Sequence, residues 1–296
     1  MDVGEGLDPS REPTRGSPTI NTPIGIESMT DNTQRHDDLH RIESALREAE
    51  KALASFTPGA IAVERKAGGD PVTEADHRVD EVLRRLLPSP GEGWLSEETV
   101  DDHARLDTHR AWVVDPLDGT REFVEGIPEW SVSIGLVEDG QPVAGGILNP
   151  TTDQLVLGAI GHGVTLNGEP ATVSSRESLD GAVVLASNSE IKRGEWDRFQ
   201  GQGFKIRPCG SVAYKLAMVA AGLVDATWTL VPKNEWDVVA GVALVRAAGG
   251  LIEPLAEPDR AFNQPSPLLE GLLAYPPQLQ DAIHEMIGRT AEASDR

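Results

Sequence analysis

One segment constrains the fold more than any other: Trp112-Val113-Val114-Asp115-Pro116-Leu117-Asp118-Gly119-Thr120. The apolar run from Ala111 to Val114 reads as a buried strand, and Gly119-Thr120 as the start of a short helix. Between them the chain delivers two carboxylates three residues apart. Pro116 restricts the turn and leaves the Leu117 carbonyl free as a further oxygen donor. A strand end of this kind can hold hard cations and turn backbone N–H groups toward a phosphate.

Three further acidic positions extend the pattern. Asp76 lies in Asp70-Pro71-Val72-Thr73-Glu74-Ala75-Asp76, Glu97 in Leu95-Ser96-Glu97-Glu98, and Asp237 in Glu235-Trp236-Asp237, ahead of a small-residue helix that ends at Gly249-Gly250. Singly, each has a bland reading: Asp before Pro forms turns, Glu97-Glu98 is a solvated pair, and Asp237 caps a helix. Jointly they suit one chemistry. Phosphate monoesters hydrolyse very slowly in water, so a catalyst must neutralise charge and align a water with the leaving oxygen. Mg²⁺ takes oxygen ligands and keeps several waters, so Glu97, Asp115, Asp118 and Asp237 supply enough carboxylates. The histidines show no metal-ligand spacing, and Cys209 has no paired base, which makes it a packed, inert thiol.

Along the chain, residues 1–34 are rich in Gly, Pro, Ser, Thr and acidic groups without periodicity and read as a disordered leader. From His36 to Phe56, Leu39, Ile42, Leu46, Ala49, Leu53 and Phe56 recur at three- and four-residue steps, which predicts an amphipathic helix. A second helix is predicted from Thr73, whose hydroxyl and Asp76 make a capping box, to the stop at Pro88 and Pro90. Trp130 to Val137 and Pro142 to Leu148 form a hairpin across Glu138-Asp139-Gly140, followed by strands at 154–160 and 163–166, so this half is predicted to be antiparallel sheet. Beyond Ala182 the pattern turns α/β: a strand at 183–186, a helix at 190–199, a strand at 204–207, a helix from Gly210-Ser211 to Gly222, a strand at 226–230 and a helix at 237–248.

Composition narrows the partners. A chain of 296 residues with 39% hydrophobic content buries a core sufficient for one large domain or two that share an interface. No window approaches eighteen apolar residues, and Met1 to Thr30 has neither a basic nor an apolar signal region, so no membrane and a cytoplasmic location are expected. The lone cysteine fits a reducing compartment. A net charge of −22 argues against polymeric nucleic acid, which requires a basic surface.

These segments together resemble the inositol monophosphatase superfamily of metal-dependent phosphomonoesterases, over roughly residues 36 to 285. The resemblance implies Mg²⁺, two or three ions, held at Glu97, Asp115 and the Leu117 carbonyl on one side and at Asp115, Asp118 and Asp237 on the other. It implies that Asp76 and the Thr120 hydroxyl, with Glu97 nearby, serve an in-line attack by a metal-activated water. Gly119 and Thr120 N–H groups would cradle the phosphate, and Gly210, Ser211 and Val212 would border the leaving group. Fold and organisation follow: an α/β (α+β) layered α/β/α/β/α sandwich of the inositol monophosphatase / fructose-1,6-bisphosphatase type. Its N-terminal α+β half would span 35–166 with most ligands, and its C-terminal α/β half 167–296 with Asp237 and the substrate loop. The resemblance also allows a homodimer.

The substrate is expected to be a small phosphorylated metabolite. Leu95-Ser96-Glu97-Glu98 and Asp115-Pro116-Leu117-Asp118-Gly119-Thr120-Arg121-Glu122-Phe123 resemble the CysQ-type 3′(2′),5′-bisphosphate nucleotidases, although these usually carry lysine where Arg121 stands. Inositol monophosphatases place a sugar-binding glutamate seven residues before the last metal aspartate, and here that position is Leu230. Adenosine 3′,5′-bisphosphate is therefore the expected substrate, with Arg121 a contact for its second phosphate. Inositol 1-phosphate, histidinol phosphate and fructose bisphosphate are the alternatives, and a metal-binding regulatory pseudo-phosphatase is the non-enzymatic one. The acidic excess is either a plain solvated surface or an adaptation to high salt. Adaptation requires activity and melting temperature to rise between low and molar KCl, and flat values leave the plain surface.

Overall fold

The computed structural model describes residues 24–294 except 67–68 and 257–259. Of the expected leader, 1–23 lie outside the described residues. Residues 24–34 are helical, which corrects the expected boundary: helix α1 (Ile24–Leu53) begins well before the apolar stripe that revealed it. Once a helix is nucleated, each added residue gains a hydrogen bond, so it can run past its packed face.

A short hairpin, β1 (Glu64–Arg65) with β2 (Pro71–Val72), leads to α2 (Glu74–Leu86). As expected, Thr73 caps α2 with Asp76 completing the capping box. The first sheet then runs in chain order: β3 (Glu92–Ser96), β4 (Arg110–Asp118), β5 (Ser131–Glu138), β6 (Gln141–Asn149), β7 (Gln154–Ala159), β8 (Gly163–Leu166) and β9 (Glu169–Ala171), with helix α3 (Thr120–Glu125) between β4 and β5. It is not wholly antiparallel, because β3 pairs parallel to β4. The connection from Glu97 to His109 is long enough for the crossover that a parallel pair requires.

The remaining elements are β10 (Val183–Ser187), α4 (Asn188–Lys192), β11 (Lys205–Cys209), α5 (Val212–Ala220), β12 (Ala226–Thr229), β13 (Lys233–Asn234), α6 (Glu235–Ala247), β14 (Leu251–Pro254), β15 (Leu268–Leu269), β16 (Leu272–Tyr275) and α7 (Gln280–Ser294). The second sheet has the order β11-β10-β12-β16-β14, in which β10, β11 and β12 are parallel and β16 is antiparallel to both neighbours. The helix expected over 190–199 is broken in two: a 3-10 turn covers Asp197–Phe199, and the short α4 stops before Gly194 at φ +78. A residue in that conformation ends a helix.

Alternation along the strands builds the layers. Trp112 and Val114 of β4 pack beneath α1 and α2, whereas Val113 faces α5 and α6. Leu185, Leu272 and Ala274 of the second sheet face the same middle helices. Val184, Trp228, Leu273 and Tyr275 point the other way, onto Trp196, Phe199 and Ile283 of the outer layer. The order is therefore helices, sheet, helices, sheet, helices, the α/β/α/β/α sandwich expected. Both faces of β4 are covered, which explains its unbroken burial.

Two glycines set the spacing that the site requires. A Cβ on Gly145 would lie 2.6 Å from the Ala240 carbonyl oxygen, and one on Gly135 would lie 2.5 Å from Val239 Cγ1. Helix α6, which carries Asp237, therefore rests directly on the backbone of β5 and β6. Gly145→Ala must push α6 off the sheet against backbone atoms that cannot rotate away. It is expected to cost about 1–3 kcal/mol of stability, the usual range for overpacking a core, measured by urea unfolding.

Candidate active site

The chain brings its acidic residues to one cleft of about 390 Å³, lined by Glu97, Asp115, Asp118 and Asp237 among others. Glu97 follows the end of β3, Asp115 and Asp118 stand at the C-terminal end of β4 on either side of a bulge, and Asp237 occupies the first turn of α6. Oxygen atoms of Glu97, Asp115 and Asp237 lie within 4.8 Å of one another. Asp118 stands beside this group and reaches toward α5, where its Oδ2 accepts the Ser211 hydroxyl at 2.7 Å and the Ala213 N–H at 2.6 Å.

Each aspartate spends one oxygen on the backbone near it. Asp115 Oδ1 accepts the Leu117 N–H at 2.9 Å, and Asp237 Oδ2 accepts the Asn234 N–H at 3.0 Å. Asp237 is thus the third residue of its helix in a capping box, not the cap itself. Asp76 Oδ2 accepts the Thr73 N–H at 2.8 Å and the Thr73 hydroxyl at 2.7 Å. The bland reading of these residues as helix-end groups is therefore borne out, and it is compatible with a functional reading of the same side chains. The cap fixes the carboxylate plane, and the second oxygen is left for the cleft.

The Thr120 hydroxyl lies 2.9 Å from Asp76 Oδ1 and 3.1 Å from the Leu117 carbonyl. It has one proton, so it can donate to one of them at a time. Gly119 precedes it at φ +96, and a Cβ there would lie 3.1 Å from Trp130 Cβ. On the facing wall Ser211 holds a strained φ of +50, fixed by its bond to Asp118 and by capping the Tyr214 N–H at 2.9 Å. Gly210 beside it has no room for a side chain, since a Cβ would meet the Glu129 carbonyl at 2.3 Å.

The electrostatics call for a cation. Burial first, then repulsion from Glu97, Asp118 and Asp237, pushes Asp115 well above the usual carboxylate range. Burial, then Asp118 and Glu97, does the same to Asp237. Burial raises Asp118 too, against its bonds to Ser211 and Ala213. The donors are all oxygens, with no histidine or thiolate, a set that suits Mg²⁺ in size and hardness. Glu97, Asp115, Asp118, Asp237 and the Leu117 carbonyl therefore fit this metal. Burial pushes the Cys209 thiol up to about 12, which makes it a poor nucleophile.

Two expected contacts look different in place. Arg121 lines the cleft mouth but is exposed and bonded to Asp70 at 2.5 Å. Leu230 packs with the outer apolar layer, and Val231 takes its place at the cleft. Sequence reasoning passed over Lys66, whose Nζ lies 2.6 Å from both Glu97 and Glu98. Burial opposes its charge, but the two carboxylates prevail and raise its pKa. It also passed over Glu190, a buried carboxylate that accepts the Thr229 hydroxyl at 2.6 Å and Trp196 Nε1 at 3.1 Å and pairs with Lys233 at 3.1 Å. Buried Lys215, on the cleft wall, was missed as well. The scarcity of lysine was the available signal: three of only six, Lys66, Lys215 and Lys233, are at the site.

The model of the inositol monophosphatase family matches residues 37–295. An inositol-1-monophosphatase of Mesorhizobium japonicum is 36% identical over 204 residues, 66% of this chain and 76% of that protein. Among solved structures, the Thermotoga maritima IMPase superposes with a TM-score of 0.72 at 28% identity, over 84% of this chain and 97% of that one. CysQ from Bacteroides thetaiotaomicron superposes with a TM-score of 0.68 at 24% identity, over 81% and 97%, a likeness of fold alone. CysQ is thus only a distant structural neighbour, while the sequence relative carries the inositol-1-monophosphatase name. The chain belongs to the inositol monophosphatase family, whose members are Mg²⁺-dependent phosphoric monoester hydrolases.

Proposed function

We propose that this protein hydrolyses a small phosphorylated metabolite that bears a second phosphate, with adenosine 3′,5′-bisphosphate, converted to AMP and phosphate, as the substrate. The observation that carries the hydrolytic reading is the set of Glu97, Asp115 and Asp237 oxygens within 4.8 Å at the cleft floor. Two or three Mg²⁺ ions would be held by Glu97, Asp115, the Leu117 carbonyl, Asp118 and Asp237. When bound, they supply Lewis-acid neutralisation of the phosphate and leaving oxygen and acidify water.

The chain's own groups do the rest. Asp76 Oδ1 accepts the hydrogen bond of the Thr120 hydroxyl, which leaves the Thr120 oxygen to accept one from the attacking water and aim it; as the water attacks, its proton passes to the Thr120 oxygen while Thr120 gives its own to Asp76. The N–H groups of Gly119 and Thr120 face the phosphate, and Gly210, Ser211 and Val212 border the leaving group. A regulatory pseudo-phosphatase is disfavoured, since Asp76, Glu97, Asp115, Asp118, Thr120 and Asp237 are all present.

Substrate choice rests on the wall opposite the carboxylates. Leu230 offers no side-chain acceptor, and Glu190, buried and bonded to Thr229, Trp196 and Lys233, does not line the cleft, so neither is placed to meet a polyol hydroxyl. A site that binds a hydroxyl needs a free polar partner for it. Inositol 1-phosphate is the second reading, favoured by the name of the Mesorhizobium japonicum relative. Phosphate release from both substrates, in parallel and with Mg²⁺ or EDTA, decides between them. The proposal requires a Mg²⁺-dependent preference for the nucleotide, and preference for inositol 1-phosphate replaces it with the second reading.

Asp115→Asn tests the metal site by two opposed effects. Turnover is expected to fall more than about a hundredfold, because even an outer partner of a metal ligand is worth ten- to a hundredfold. Without metal, the variant should be the more stable protein at neutral pH. A carboxyl whose folded pKa is raised contributes stability at low pH and loses it as pH rises from the ordinary 3.8 through the folded value. The wild-type melting temperature in EDTA should therefore drop below that of the variant as pH climbs above about 4, and Mg²⁺ should close the gap. Equal pH profiles in EDTA would contradict the buried repulsion.

A further inference from the structure

Two buried opposite charges, with a strap of chain between them, link two of the segments that carry the metal carboxylates. Arg105 lies in the crossover from β3 to β4, which begins at Glu97, and Glu235 opens α6, just ahead of Asp237. They are 1% and 0% exposed, and neither lines the cleft. Residues 260–267 run between them. The strap turns its N–H groups to the carboxylate: Glu235 Oε2 accepts the Asn263 N–H at 2.7 Å, and Oε1 accepts the Gln264 N–H at 3.2 Å. It turns its oxygens to the guanidinium: Arg105 Nη1 donates to Asn263 Oδ1 at 2.6 Å, and Nη2 donates to the Gln264 carbonyl at 2.9 Å.

The strap is held without these charges. Phe262 is buried in the core and its N–H donates to the Gly140 carbonyl at 2.8 Å, the Pro267 carbonyl accepts the Glu235 N–H at 2.8 Å, and β15 pairs with β13 just beyond. Apolar side chains of the same volume often replace a buried charge network with no loss of stability. What the charges add is direction. Asn263 Nδ2 returns a bond to the Arg105 carbonyl at 3.1 Å, and Asn263 holds φ +62, which asparagine tolerates better than most residues. Arg105 Nη2 also donates to Asp101 Oδ2 at 2.8 Å, and the residue lies so close to β3 that a Cβ on Gly93 would come within 2.7 Å of Arg105 Cβ. A continuous path thus runs from the strand that ends before Glu97 to the first turn of α6.

We propose that Glu235 and Arg105 are positioning residues for the metal site: through Asn263 and Gln264 they fix, from behind the cleft, the spacing of Glu97 and Asp237 on either side of Asp115. This rests on the metal-site reading above. The carboxylates repel one another, so the segments that carry them need a tie that does not itself occupy the cleft.

The test is calorimetric titration of Mg²⁺ into the full chain, at a temperature where the melting curve of each variant shows it folded. Glu235→Gln leaves one strap N–H facing an amide NH₂ and should weaken Mg²⁺ binding at least about tenfold, the low end for an outer partner of a metal ligand. Asn263→Gly keeps the positive φ accessible and removes only the side-chain bonds to Arg105, so it should weaken binding by a smaller factor. The two together should weaken it by less than the product of the single factors, because both break one path. Ile283→Ala, in the outer layer away from the strap, should lower the melting temperature and leave Mg²⁺ affinity at the wild-type value. Unchanged affinity in Glu235→Gln, factors that simply multiply in the double variant, or equal weakening in Ile283→Ala overturns the proposal. If Glu235→Gln shows no cooperative melting transition, Asn263→Gly decides: unaltered affinity overturns it. A wild type that takes up no Mg²⁺ overturns the metal-site reading together with this one, and so is distinguishable from a wild type that binds Mg²⁺ as tightly as its variants.

Discussion

Like charges held together in a buried place repel, and the rest of this structure can be understood as the means of holding Glu97, Asp115 and Asp237 within 4.8 Å despite that. They come from three elements, and none would choose the others' company without a cation. Rigidity is supplied by ordinary backbone hydrogen bonds. Asp76 and Asp237 sit in capping boxes, Asp115 takes an N–H two residues on, and Asp118 takes the Ala213 N–H in the first turn of α5. Each interaction stabilises a helix start or turn by a modest amount, roughly 0.5–2 kcal/mol for a cap. Each also prevents its carboxylate from swinging away from its neighbours. Preorganisation of the metal site and local stability of the helices are thus the same set of bonds.

The close packing of α6 turns this local order into a site. Asp237 is far from Asp115 in sequence, and the packing of α6 on the first sheet, closest at Gly135 and Gly145 of β5 and β6, brings the two together. Asp118 makes the complementary tie, from the end of β4 to the start of α5. The cleft is therefore a seam between the first sheet and the middle helices, closed on its far side by the carboxyl ends of β10, β11 and β12.

What the sequence disclosed and what it withheld divide along a physical line. Strand β4, the turn after it, the capping box at Thr73 and the β5–β6 hairpin are encoded by neighbours in sequence, and all were legible. Strand β3 was not read as a strand, because its parallel pairing with β4 depends on a crossover and leaves no alternation of its own. Strands β14 and β16 likewise acquire meaning only through β12, and β15 only through β13. Among the site residues, the carboxylates announced themselves through local motifs. Lys66, Lys215 and Glu190 act across the fold on partners remote in sequence, so no window of the chain contains both halves of their interaction.

The division of labour between arginine and lysine sharpens the same point. Away from the cleft, arginines build planar ion-pair networks: Arg35 with Asp38 and Glu138, Arg110 with Asp38, Glu92 and Glu138, and Arg105 with Asp101. The rigid guanidinium fork satisfies several acceptors at once, which is what a buried structural charge requires. At the site the three lysines each place a single compact charge among oxygens. This matters in a chain of net charge −22, whose field draws divalent cations in and pushes an anionic substrate away. Cations on the cleft wall are the local remedy. They have to be few, because every extra one would compete with Mg²⁺ for the same carboxylates.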